Sequence, residues 1–150
     1  MADLELLSEH LGAMLSKLSD AEIRHLEMNI ARKLRVSHKK RITSQRNPDG
    51  SSYTPRKNRI LNKRDKIRNK MFNVIKTAKY LRLERTNVGL AIGFTGRIAL
   101  IARVHQYGLK DKVSNNGPIV KYDSRELLGF TQEEIEMIEN DVLTYISSNA

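Results

Sequence analysis

The side chains able to carry chemistry are few and scattered. The four histidines, His10, His25, His38 and His105, form no H-x-x-x-H or H-E-x-x-H pair, so metal-ligand spacing on a helix is absent. The chain has no cysteine, which excludes disulfides, thiolate metal sites and a thiol nucleophile, and is compatible with a reducing compartment. Neither a G-x-x-x-x-G-K-[ST] phosphate loop nor a G-x-S-x-G elbow occurs. Gly93-Phe94-Thr95-Gly96 reads as a strand-to-helix turn. Glu133, Glu134, Glu136 and Glu139 read as the solvated face of a terminal helix, because paired-carboxylate catalysis needs a concave site. His105, beside Gln106-Tyr107-Gly108, reads as a helix-end histidine bonding a backbone carbonyl. The expectation is a chain that is not an enzyme and takes no metal or cofactor.

What the sequence does offer is charge. The 150 residues carry 27 Lys+Arg against 17 Asp+Glu, a net charge of +10. Residues 1–30 are net −4, residues 31–80 net +15, residues 81–112 net +4, and residues 113–150 net −5. Two acidic ends flank a strongly basic middle, which attracts phosphate or an acidic protein at long range. Alternatively the ends fold back and neutralise it. A basic surface is expected from Arg32, Lys33, Lys39, Lys40, Arg64, Lys66 and Lys70. Tyr53, Phe72 and Tyr80 are the few aromatics among these bases, too few for a stacking platform, so any nucleic-acid contact is expected to be backbone contact without sequence preference. The acidic start lacks the basic and apolar regions of a signal peptide, and no apolar run approaches a membrane span. The expectation is one soluble intracellular domain over residues 1–150.

The elements that must hold these residues follow from apolar spacing. Leu4, Leu7, Leu11, Met14 and Leu18 step by three and four, a heptad seam that reads as a separate assembly helix over 1–18. It is either an intersubunit surface or part of the core. Ser19-Asp20-Ala21-Glu22 is a capping box opening a second helix, with Ile23, Leu26, Ile30, Leu34 and Ile42 inward. Asn47-Pro48-Asp49-Gly50 breaks that helix, and the polar stretch 51–58 reads as a loop. A third helix is expected from Ile60 to Ala78. At Tyr80 the period changes to two. Leu81 and Leu83, then Leu90, Ile92 and Phe94, alternate about Thr86-Asn87 as a hairpin. Arg97–Val104 reads as an apolar helix or buried segment, 110–117 as a mobile loop and Ile119–Tyr122 as a third strand. Thr131 and Glu134 cap a final helix with Ile135, Ile138, Val142 and Ile146 inward. The class is α+β, with N-terminal helices, a small antiparallel sheet containing a hairpin, and a C-terminal helix.

Four blocks in order resemble the virion morphogenesis family of tailed phages, in its contractile-tailed branch. They are Arg41–Gly50 with Tyr53–Lys57, Met71-Phe72 to Tyr80-Leu81, Gly93–Arg97 through Ile101–Gly108, and Arg125–Phe130. Together they span roughly residues 30 to 145. Tyr53 stands where many relatives have Trp, and Asp123-Ser124 where many have a Pro-Ala step. The resemblance implies a late structural protein that completes the tail so that it joins a filled head. It implies phage tail or neck proteins as partners, assembly in the host cytoplasm and a place at the head–tail junction. A ring of copies on the tail and non-specific contact with duplex DNA fit the charge layout. Asn47, Pro48, Asp49, Gly50, Tyr53, Arg56 and Lys57 are expected to form a docking segment, with Tyr53 as its aromatic anchor. The alternative reading is a basic protein that binds nucleic acid without specificity.

Overall fold

The computed structural model describes residues 9, 12–13, 16–56, 71–87, 89–113 and 115–148. Of the seam, Leu4, Leu7, Leu11 and Met14 lie outside these residues, and Leu18 sits half-buried in the bend before the first described helix. Lys57, Arg64, Lys66 and Lys70 also lie outside them.

Helix α1 runs Asp20–Thr43, and Ser19 caps it as its spacing foretold, the hydroxyl accepting from the Glu22 amide at 3.2 Å. Acids open α1 and Lys40 and Arg41 close it, each sign suiting the helix dipole. The helix stops before Pro48 can act. Gln45 takes the left-handed conformation (φ 56), and its amide bonds the Ile42 carbonyl at 2.9 Å. Residues 46–52 then turn back on themselves through an Arg46–Ser52 bridge, with Gly50 at φ 90 closing the turn.

The expected third helix is corrected over its described part: residues 73–80 are successive turns. Phe72 at φ 68 is incompatible with a right-handed helix, and the β-branched Val74, Ile75 and Thr77 favour one only weakly. Strands β1 (Leu81–Thr86) and β2 (Gly89–Phe94) form the expected hairpin, with Leu81 opposite Phe94 and Thr86 opposite Gly89. Helix α2 (Gly96–Tyr107) ends at Gly108, whose left-handed φ of 63 and approach to the Ser124 backbone, 3.0 Å from where a Cβ would lie, both disfavour a side chain. Part of the expected mobile loop is instead strand β3 (Lys110–Lys112), which pairs antiparallel with β4 (Ile119–Lys121). The expected third strand therefore does not extend the first sheet, and the described residues form two separate two-stranded sheets. Helix α3 (Gln132–Ser148) opens with a complete capping box: Thr131 Oγ1 accepts from the Glu134 amide, and Glu134 Oε2 accepts from the Thr131 amide.

Helix α1 is the spine of this α+β fold, packing on the first hairpin and on α3. The core gathers at its C-terminal end, where Ile42, Tyr53, Met71, Ile75, Ala102 and Leu127 are buried together, with Phe72, Phe94 and Ile98 against them. Burying about 25 cal/mol per Å² of apolar surface there is what holds the irregular segments to the helices.

Candidate functional site

All four resembling blocks meet at this end of α1 and build one clamp. Arg41 follows Leu34 and His38 along the inward stripe of the helix and is only 9% exposed. Its Nη1 donates to the carbonyls of Arg46 and Glu126, both at 2.9 Å, and its Nη2 to that of Leu127 at 2.7 Å. Arg125, 5% exposed, reaches the other way and donates to the Thr54 carbonyl at 2.8 Å and to that of Pro55 at 3.3 Å. Burial, opposed by Asp123 and aided by Arg56, lowers the Arg125 pKa from its ordinary value. The two guanidiniums thus tie the loop after α1 to the strap 122–130. A planar fork with several donors suits this task, because one side chain satisfies several carbonyls that no strand pairs.

Side-chain amides complete the clamp. Gln106 Oε1 accepts from the Leu127 and Leu128 amides at 2.8 and 2.9 Å, and its Nε2 donates to the Leu128 carbonyl at 2.8 Å. Gln45 does the same for Met71, accepting from its amide at 2.8 Å and donating to its carbonyl at 2.9 Å. Asn47 Oδ1 accepts from the Glu126 amide at 2.9 Å. Pro48 leans on Gly129, where a Cβ would lie 2.7 Å from the proline Cγ. Gly129→Ala is therefore expected to lower stability by about 1–3 kcal/mol, given that clash and the positive φ of 151, as read by urea unfolding.

Several expectations are corrected here. Tyr53 is 3% exposed: its hydroxyl donates to the Glu126 carbonyl at 2.8 Å and its ring meets Phe72 edge-on at 5.7 Å. A ring buried in this way cannot anchor a partner. Burial raises the Tyr53 pKa, with Arg41 opposing. Asn47 and Pro48 are half-buried against the strap, which leaves Asp49, Gly50 and Arg56 as the exposed part of the expected docking segment. Asp49 is held below the ordinary carboxylate range by Ser51, whose hydroxyl and amide both bond it.

Glu134 is not on a solvated face but 2% exposed, accepting from Ser37 Oγ at 2.7 Å and lying 3.5 Å from His38 Nε2. The same His38 nitrogen is 2.7 Å from the Gly129 carbonyl. An apolar groove of about 430 Å³ passes His38 and Gly129, walled by Ile30, Leu34, Leu90, Ile92 and Phe130. Among the described residues no group of His, Asp and Glu has an arrangement that holds a metal ion.

His105 differs from its expected role in another way. Its carbonyl, not its ring, makes the backbone bond, accepting from the Arg125 amide at 2.7 Å. The ring lies edge-on to Phe72 and Tyr122, at 4.9 and 5.0 Å, with Nδ1 unpartnered. Burial, then the charges of Arg125 and Arg56, push its pKa from 6.5 down to about 4. The neutral ring is thus favoured in the folded state. Its contribution is complete above pH 6.5 and is lost as pH falls from 6.5 toward about 4. His105→Gln is expected to flatten that limb of the curve when stability is measured by urea unfolding at a series of pH values.

The basic surface survives in part. Arg32, Lys33, Lys39 and Lys40 are exposed on α1, but Lys33 already pairs with Asp141 of α3 at 2.7 Å. One acidic end therefore folds back on the basic middle, though an exposed pair of this kind contributes little. No described helix is long and apolar enough to cross a membrane.

Residues 2–147 match the phage virion morphogenesis family, and the chain belongs to it. It is similar to the tail completion protein S of Escherichia phage P2, with 31% identity over 148 residues that cover 97% of this chain and 99% of the relative. No solved structure matches the chain.

Proposed function

We propose that the protein is a non-enzymatic assembly factor that completes the phage tail so that it joins a DNA-filled head. The observation that carries this reading is the end-to-end similarity to a tail completion protein, with no large part of either chain left over. Its partners are then tail or neck proteins, met in the host cytoplasm during assembly and at the head–tail junction of the particle. Copies form a ring on the tail. The exposed turn at Asp49-Gly50, with Arg56 beyond it, and the exposed bases Arg32, Lys39 and Lys40 are the surfaces offered to those partners. An acidic protein ring is the principal target of these bases and DNA a secondary one. Were about six phosphates neutralised instead, DNA affinity would fall on the order of 10³-fold between about 50 and 200 mM salt.

Deleting the gene tests the role. Infected cells are expected to accumulate DNA-filled heads and unjoined or aberrant tails in electron micrographs, with lysis on time. A normal yield of infectious particles from a verified deletion would overturn it.

A further inference from the structure

The second hairpin has an unbalanced face. Lys110 lies directly opposite Lys121, and Lys112 opposite Ile119, so alternation puts these four side chains on one side and Asp111 and Val120 on the other. All four are exposed, whereas Val120 is half-buried. Two lysines facing each other across a ladder repel, and none of the three has an ion-pair partner among the described residues. Helix α2, which feeds straight into this hairpin, shows solvent an apolar stripe. Leu100 is 67% exposed and Tyr107 68%, with Ile101 also open, Arg97 one turn before them and Arg103 between them. Apolar side chains rimmed by charge have the anatomy of a protein interface. A phosphate backbone would use the bases and leave the Leu and Tyr wet.

The same chain carries the complement. Helix α3 holds five acids and no base. Glu134 is buried and Asp141 is paired, but Glu133 and Glu136 stand exposed on one face without an ion-pair partner among the described residues. In its own molecule α3 packs on α1. We propose that the α2 stripe and the lysine face of the second hairpin are the docking surface for helix α3 of a second copy. The contact joins two different surfaces, so it propagates head to tail and closes into a ring if the rotation permits. It gives the ring proposed above its interface, yet stands on surface chemistry and not on the tail-completion role.

Charge reversal tests it on the full chain. One variant carries Lys110→Glu, Lys112→Glu and Lys121→Glu, and another carries Glu133→Lys and Glu136→Lys. The wild type is expected to self-associate at low salt in sedimentation velocity, and each variant to associate at least about tenfold more weakly, because like charges then face each other. Mixing the two variants, or combining both sets in one chain, restores association. All five positions are exposed, so circular dichroism and melting should match the wild type and exclude misfolding. A carbodiimide should link the lysines to Glu133 or Glu136 between isotope-labelled and unlabelled copies. A wild type that stays monomeric, reversals without effect, links only within one chain, or loss of DNA retention with self-association intact would each overturn the proposal. Association that follows these rules in a protein failing to restore particle yield would keep the interface and remove the assembly role.

Discussion

Arg41→Met is expected to lower stability by about 3 kcal/mol or more, because each buried carbonyl left without a donor costs about 1–3 kcal/mol. Arg41 serves three carbonyls, those of Arg46, Glu126 and Leu127; that of Glu126 keeps the Tyr53 hydroxyl, whereas the other two lose their side-chain donor, because methionine keeps the volume but supplies none. In a chain of 150 residues that loss corresponds to a melting temperature about 6–12 °C lower. Arg41→Lys should fall between the two, since one ammonium cannot span carbonyls that lie on both sides of a planar fork. Thermal melts of the three proteins check this order. A methionine variant that melts with the wild type would show that the clamp contributes nothing to stability. Because the clamp holds the Asn47–Gly50 turn, the methionine variant should also make assembly temperature-sensitive.

Tyr53→Ala carries the second large effect. Removing a buried aromatic ring costs about 3–5 kcal/mol, transfer and cavity together. Tyr53→Phe keeps the ring against Phe72 and loses the bond its hydroxyl donates to the Glu126 carbonyl and the long one, at 3.5 Å, that it accepts from Arg41, about 1 kcal/mol. A docking anchor would behave otherwise, with the alanine variant melting normally and tails left unjoined. Urea unfolding of both variants, paired with a tail-joining assay, separates the two roles: phenylalanine should match the wild type in that assay.

The regular elements were legible because a period is visible in them. The cap at Ser19, the switch to alternation at Tyr80 and the box at Thr131 each name a local hydrogen bond that forms whatever the rest of the chain does. The clamp was legible only in part. His38 and Arg41 continue the stripe through Leu34 by steps of four and three, so position placed them inside while residue type argued for the surface. Position prevailed, because Arg41 found carbonyls and His38 found Gly129. Glu134 likewise sits one turn before Ile138 on the inward side of α3. Tyr53 had no period to betray it. In a polar loop a lone ring is cheaper to bury than to hydrate, and the carbonyl its hydroxyl bonds, that of Glu126, lies 73 residues away in sequence. The end of the expected third helix failed for a related reason. Apolar spacing from Met71 to Ala78 was helical, but the left-handed Phe72, set where Gln45 grips Met71, fixed the backbone otherwise.

The amide side chains of Gln45 and Gln106 have a kinetic consequence. They hold the amide hydrogens of Met71, Leu127 and Leu128 within segments that belong to no helix or sheet. In heavy water those three hydrogens can leave only when a glutamine lets go, and the glutamines are themselves fixed by the packed end of α1 and by α2. Their exchange should therefore lag far behind that of the exposed turns around them and keep pace with the helices. On a map of exchange rates the core would run through two stretches of apparent coil, and the slow-opening unit of the fold would be drawn by side chains where its backbone has no ladder of its own.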